Sequence, residues 1–392
     1  MKKSLIALAA LAATGAFAQS TVQLDGILDA GFQAINYKGN TVNGIAGNGS
    51  STSQLNVRGS EDLGGGLKAE FRVETDWNVV SNVANTGAAS SYNNGLTGTA
   101  TQSINSSVGT FGNGEIRVGL AGGFGRVDLG AVNYNTLNTF TLGQPFGTAI
   151  GSGFRSFYIN DANATSQVRA ENAIKYTTPT FNGFNATLYK SNKQTKATTG
   201  TASATTGVVP QPNGFSTSLG AYDQQGTQEL GVNYANGPIA ASFSQIKQDW
   251  AGIQALNSAN GAVGSAEYTI NTLAAKYTFG NGATVALLNQ TNKTDTGSVN
   301  NNATTVSGTY TVGAVVLMAQ AGELKNSVAS TKSKLWGLGA DYNLSKRTAA
   351  YVRAESIDNA GGAMNAAIVS SVIAGTDTNK FTRTAVGIRH NF

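Results

Sequence analysis

The chain is 392 residues long, with 12% charged and 40% hydrophobic residues, 49 Gly, 5 Pro and no Cys. Its 3 Trp, 13 Tyr and 16 Phe exclude disorder, which needs high net charge and few aromatics, and the missing Cys removes disulfides, thiolate metal sites and Cys nucleophiles. A formal charge of +5, with acids and bases interleaved, does not make the basic stripe of a nucleic-acid binder.

The chain begins with Lys2 and Lys3, an apolar stretch from Leu5 to Ala13, and Ala16-Phe17-Ala18 before Gln19. This basic, apolar, small-x-small order predicts a removable export signal over 1–18 and a mature chain, 19–392, outside the cytoplasm. After it the longest apolar run, Ala314 to Ala319, is far short of the about 20 residues a transmembrane helix needs. A water-soluble chain of this length usually splits into domains, yet no linker or Pro-rich joint divides it. The expectation is one domain over 19–392.

From there on the signal is period two. A first strand is expected near Val22 to Tyr37. In 67–74, Leu67, Ala69, Phe71 and Val73 alternate with Lys68, Glu70, Arg72 and Glu74, which puts the two classes on opposite faces of a strand. The same alternation sets Ile116, Val118 and Leu120 against Glu115 and Arg117. It sets Val127 and Leu129 against Arg126 and Asp128, and Val386 and Ile388 against Arg383 and Arg389. Tight turns rich in Gly and Asn, which tolerate the positive φ of hairpins, are expected at 61–66, 121–125, 180–183, 235–238, 279–282, 310–313 and 343–346. Between them lie long polar connections at 78–113, 131–170, 191–226, 249–266 and 357–380. Seven hairpins plus one strand before them and one after, 381–392, give sixteen strands.

An even count of antiparallel strands, with short turns at one end and long loops at the other, predicts an all-β up-and-down transmembrane barrel. Closure leaves no strand edge unpaired, the one sheet solution that hydrocarbon permits. The apolar set then faces lipid and the charged set a lumen; the inverse would cost roughly 2–4 kcal/mol per Lys or Arg near the midplane. Sixteen strands leave an aqueous channel where about eight would be filled by their own side chains. Phe124, Phe181, Phe184, Tyr234, Tyr277, Phe279, Tyr310 and Tyr342 gather beside the short turns, as an interfacial girdle requires.

Glu61-Asp62-Leu63-Gly64-Gly65-Gly66-Leu67-Lys68-Ala69 resembles the second-to-third strand junction of the Gram-negative general porins, especially those of β-proteobacteria. Val118 to Gly125, Ile174 to Pro179, Tyr342 to Thr348 and the ending Val386 to Phe392 resemble further signatures of that group. The resemblance spans essentially the whole mature chain. It implies a sixteen-stranded outer-membrane barrel with short periplasmic turns and long extracellular loops, the third folded into the lumen. It further implies homotrimers in outer-membrane lipid and lipopolysaccharide that pass small hydrophilic solutes and ions. The constriction loop would be 132–170, with Gln144, Pro145, Phe146 and Gly147 inside it. Phe392, with Ile388 and Val386, resembles the carboxy-terminal signal read by the outer-membrane assembly machinery. This chain departs from the family at Ser53-Gln54, Gly114-Glu115 and Leu129-Gly130-Ala131, where the family often carries Arg.

Arg58, Arg155 and Arg169 stand at matching positions, and Lys68, Glu70, Arg72, Glu115, Arg117, Arg126 and Asp128 line the lumen by alternation or position. Inward charges can equally be neighbours that pair across strands. Arg155 would act at the narrowest point, and 132–160 contains no acid, so a modest anion preference is expected. His390 is the one histidine, pointing outward with Ile388 and Val386, where Ser-His chemistry has no use for it. Neither an enzyme, a cofactor nor a metal site is expected. Asp358, Asp377 and Glu355 are carboxylates near the last loop, scattered rather than clustered. A substrate-selective channel and a surface adhesin or autotransporter-like barrel are the rival readings. An autotransporter barrel, however, follows a long passenger, and here hairpins begin just after Gln19.

Overall fold

The computed structural model describes residues 20–37, 40–77, 79, 112–154, 158, 168–192, 226–250, 266–297, 299–358 and 380–392; the export segment 1–18 lies outside them. The strands follow in chain order as β1 (Thr21–Tyr37), β2 (Asn40–Ala46), β3 (Gln54–Gly64), β4 (Leu67–Asp76), β5 (Ile116–Gly122) and β6 (Gly125–Asn133). A helix, α1 (Asn135–Leu142), precedes β7 (Arg169–Thr177), β8 (Phe184–Ser191), β9 (Thr227–Asn236), β10 (Ile239–Trp250) and β11 (Ala266–Thr278). Then come β12 (Thr284–Thr294), β13 (Asn300–Val312), β14 (Val315–Asn326), β15 (Thr331–Asn343), β16 (Thr348–Asp358) and β17 (Phe381–Asn391).

From β3 onward each strand pairs antiparallel with the next, and β1 pairs with β17 from Ile27↔Asn391 to Tyr37↔Phe381. The sheet therefore closes, and Phe392 seals the seam through reciprocal backbone bonds with Gly26. The other edge of β1 pairs first with β2 and then with β3. These two segments occupy one position in the wall, so the barrel is sixteen strands around.

The second strand is interrupted because Asp29 draws 47–53 inward. Its carboxylate accepts the backbone N–H of Ser50 at 2.7 Å and of Ser51 at 2.5 Å, and the Tyr351 hydroxyl donates to it at 2.6 Å. Gly31 and Gly387 make room for that phenol; a Cβ on either would strike it.

All seven expected short turns are present between β3 and β4, β5 and β6, β7 and β8, and onward to β15 and β16. Sorting by length is less strict at the opposite end, where 295–299 and 327–330 are also brief. In the latter, Asn326 folds the chain by accepting the N–H of Val328 and Ala329.

Side-chain alternation governs the wall. Leu120, Leu129, Leu188, Leu287, Leu338, Val352, Val386 and Ile388 are all exposed on the outside, which water would penalise and hydrocarbon does not. Seven of the eight aromatics expected beside the short turns, Tyr234 being half-buried, are exposed there as well.

Candidate functional site

The connection between β6 and β7 folds into the barrel and packs along its inner surface. Its helix α1 starts at Tyr134, which has no oxygen placed to cap it. The cap comes from the wall: Glu229 on β9 accepts the N–H of Asn135 at 2.6 Å and of Thr136 at 2.7 Å, and the Thr136 hydroxyl at 2.8 Å. A carboxylate at a helix N-terminus satisfies free donors and opposes the helix dipole. Thr136 and Thr139 bond Ser244 and Ser242 on β10, so one face of the helix is tied to two strands.

Beyond the helix the chain runs flat against β12–β16. The Ser307 hydroxyl donates to Gly143 O. Gln144 closes the next turn, accepting from Phe146 N and donating to Gly147 O, both at 2.7 Å. Phe146 is buried against Gly339, with Arg353 6.0 Å from its ring centre. Glu355 on β16 then accepts Gly151 N–H at 2.9 Å and Gly153 N–H at 3.0 Å, while Arg383 grips its other oxygen at 2.5 Å. Gln320 donates to Gly151 O and the Tyr158 hydroxyl meets Thr305.

Phe140, Phe154 and Tyr158 pack with Leu288, Leu324, Leu335, Ile357 and Phe381 in one buried cluster. Phe140 lies 4.9 Å from Phe154 and 5.0 Å edge-on from Tyr158. At about 1.5–3 kcal/mol per buried large apolar side chain, this contact outweighs the hydration the loop gives up. Burial also pushes the Tyr134 and Tyr158 hydroxyls well above the usual phenol range, so both stay neutral.

The wall under the loop is shaved to fit. A Cβ at Gly337 would collide with the Gly151 carbonyl, and one at Gly231 with the Asn135 side chain. Gly337→Ala is expected to destabilise by about 1–3 kcal/mol through overpacking, read as a lower melting temperature in detergent with a changed single-channel step.

Opposite the loop's bed, the inner faces of β3–β7 carry the charges. Arg72 bonds Glu115 at 2.9 Å and Glu74 at 2.5 Å; Arg117 bonds Asp128 at 2.9 Å and reaches Glu115 at 3.5 Å. Arg126 bridges Glu70 at 2.9 Å and Asp128 at 2.8 Å, and Arg58 pairs with Asp25 at 2.5 Å. Arg169 stands 4.0 Å from Glu74. Lys68 is exposed near the short-turn end.

Of the ten charged positions expected in the lumen, Arg58, Glu70, Arg72, Glu115, Arg117, Arg126, Asp128 and Arg169 take part in these ion pairs and Lys68 is not among them; Arg155 lies outside the described residues. Sequence reasoning missed Glu229 and Glu355 as the groups that hold the loop, and the inward Asp341 and Arg353 on the far side, where alternation already sets Arg383 and Arg389 inward. Alternation could have found these: Glu229 shares parity with Thr227 and Gly231, and Glu355 with Arg353. Asp377 lies outside the described residues. Glu355 faces inward and Asp358 outward, so they do not converge. His390 points outward, with Thr348 Oγ1 2.9 Å from its Nδ1. Val386 and Ile388 are exposed on that outer face too.

Residues 4–362 match the family model described as Gram-negative porin. The chain is 34% identical to outer membrane porin protein 32 of Delftia acidovorans and 27% identical to an outer membrane porin protein of Bordetella pertussis, in each case over the full length of both chains. Among solved structures it is similar to the anion-selective porin from Comamonas acidovorans, with 28% identity and a TM-score of 0.70 over 95% of this chain and 100% of that one. The fold also matches the trimer form of OmpT of Vibrio cholerae, at 15% identity and a TM-score of 0.61 over 95% of this chain and 99% of that one. With its closed barrel, outward apolar belt and loop-lined, charged interior, the chain belongs to the Gram-negative porin family, as an integral outer-membrane channel for passive diffusion.

Proposed function

We propose that this channel passes small hydrophilic solutes and ions down their gradients with a preference for anions, and catalyses no reaction. One observation carries the sign of that preference. In all but one of the ion pairs on the inner wall among the described residues, the base is the more exposed partner. Arg72 is 20% exposed against 7% for Glu74 and 8% for Glu115; Arg126 is 29% against 6% for Asp128; Arg383 is 22% against 0% for Glu355. The exception is Arg353, buried against Asp341.

Guanidinium edges thus meet the lumen water while carboxylates sit behind them, so a passing ion feels more of the positive ends. The acid-free loop segment adds no opposing charge. Arg155 and the Gln144–Gly147 turn act at the constriction in this reading. The solved relative described as anion-selective supports the same sign.

The reading includes export on the 1–18 signal, insertion through the Phe392, Ile388 and Val386 ending, and a homotrimer in lipopolysaccharide-bearing membrane. A substrate-selective channel would display aromatics along its lumen, whereas Phe140, Phe154 and Tyr158 are spent on anchoring the loop. In a planar bilayer with a tenfold potassium chloride gradient, the reversal potential is expected to take the sign of chloride permeation. A potassium-signed potential would overturn the preference, and absence of conducting steps would overturn the channel itself.

A further inference from the structure

Leu24, Leu28 and Phe32 are exposed on the outside of β1, so the alternate residues Asp29 and Gln33 face the lumen. Both hold the segment 47–53 against the inner surface of the wall. Asp29 accepts the N–H of Ser50 and Ser51, and Gln33 donates its amide to Gly47 O at 2.6 Å. Ser53 closes the fold, its hydroxyl accepting Asp29 N–H at 2.9 Å. Gly47, Gly49 and Ser50 are buried by this seating, while Asn48, Ser51 and Thr52 keep part of their surface in the lumen.

This segment and the inner loop, far apart in the chain, meet at Arg353 on β16. The Arg353 side chain is 2% exposed and bonds Asp341 at 2.6 Å. The same terminal nitrogen donates to Ser50 Oγ at 3.0 Å, and the other donates to the carbonyls of Ala340 and Val352. The guanidinium carbon lies 5.4 Å from the Tyr351 ring centre and 6.0 Å from that of Phe146, distances at which a desolvated cation and a ring attract. Tyr351 completes the junction. Asp29 accepts its hydroxyl, a Cβ on Gly49 would strike that hydroxyl, and Ile150 of the inner loop packs with Tyr351 and Ala385. A buried charge is costly to leave unpaired, so Arg353 keeps Asp341 and Ser50 in one geometry. Arg389 also donates to Ser50 Oγ, at 3.3 Å, and is 27% exposed, which sets a base in lumen water beside the segment.

We propose that 47–53 is a second wall of the channel constriction and that Arg353 is the positioning residue that sets it beside the Gln144–Gly147 turn. The proposal rests on the channel and inner-loop reading above, not on the sign of the ion preference. The inner loop is seated as far round as β16 and the second segment continues over β16, β17 and β1, so the two form one arc. A solute passing the arc meets the hydroxyls of Ser51 and Thr52, the Asn48 amide and Arg389 as well as the inner loop.

The chain contains no Cys, so one introduced thiol reports one place. The full-length barrel carrying Ser51→Cys is recorded in planar bilayers after treatment with a sulfonatoethyl or a trimethylammonioethyl methanethiosulfonate. Both labels are expected to lower the single-channel step. The anionic one should shift the reversal potential toward potassium and the cationic one toward chloride, while Leu338→Cys on the outer face leaves both readings unchanged. A Ser51→Cys thiol that neither reagent reaches, or labelling confirmed by mass with no change in step or potential, would overturn the second wall.

Ser50→Ala and Phe146→Leu each cut one link to Arg353 and leave its charge paired with Asp341. Their effects on step size are expected to be non-additive, because both act through one side chain. Arg353→Lys, which keeps the charge but not the planar fork, is expected to recover the wild-type step more fully than Arg353→Gln. Additive effects of the first pair, or a Lys variant no better than Gln, would overturn the role of Arg353; the first pair decides it even where Arg353→Gln does not fold. If the wild type forms no conducting steps, the channel reading itself fails, whereas normal steps with an insensitive Ser51→Cys defeat this inference alone.

Discussion

Replacing Glu355 by Ala is expected to free the far end of the inner loop and to give a larger, noisier single-channel step. Its carboxylate is fully buried and satisfies two loop N–H groups as well as Arg383. Without it those donors lose their acceptor where water is scarce, at about 1–3 kcal/mol each, and Arg383 becomes an unpaired charge beside them. The cheapest relaxation is for 149–154 to lift toward the lumen, where water replaces the carboxylate. Phe140 still holds the helix end, so the barrel persists and the change is confined to the pore.

Glu229→Ala is the companion experiment at the other end of the loop, where it removes the wall carboxylate that caps α1. The double variant should exceed either alone in step size and fluctuation. Steps indistinguishable from wild type in the double variant would show that the two carboxylates do not set the pore.

The second large effect concerns ion sign. Arg72→Gln with Arg117→Gln should abolish or invert the anion preference, because it leaves Glu74, Glu115 and Asp128 facing the lumen with fewer counter-charges. Glu115 keeps the N–H of Asn133 at 3.0 Å, and Asp128 keeps Arg126, so the acids remain partly satisfied and the barrel should fold. Glu115→Gln is the opposite control and should strengthen the preference. Both shifts should shrink in concentrated salt, since the screening length falls from about 10 Å at 0.1 M to about 3 Å at 1 M. Reversal potentials across that range check the sign and its origin together; a potential independent of these residues would locate selectivity in the outer loops.

Much of this architecture is legible in the chain because a strand has a strict period. Lys68, Glu70, Arg72 and Glu74 fall on one face whatever surrounds them, and Gly65-Gly66 or Asn182-Gly183 mark where the chain turns back. What blurred the pattern was the second half of the barrel. There the inward positions Leu288, Leu324, Leu335 and Ile357 are apolar, which a rule of wet lumen and greasy exterior does not anticipate. They are apolar because the loop, not water, covers them.

The interrupted second strand was equally hidden, since it depends on Asp29 meeting Ser50 and Tyr351, residues that come together only when the cylinder has closed.

The amino-acid sequence by itself determined the alternation, the turns, the strand count and the side of each charge, because those follow from local backbone geometry and the cost of ions in lipid. Only the tertiary structure decided how the inner loop is seated and which partner of each ion pair meets the water. Those depend on groups far apart in the chain, such as Glu355 and Gly151, whose hydrogen bond exists because closure brings opposite walls within reach.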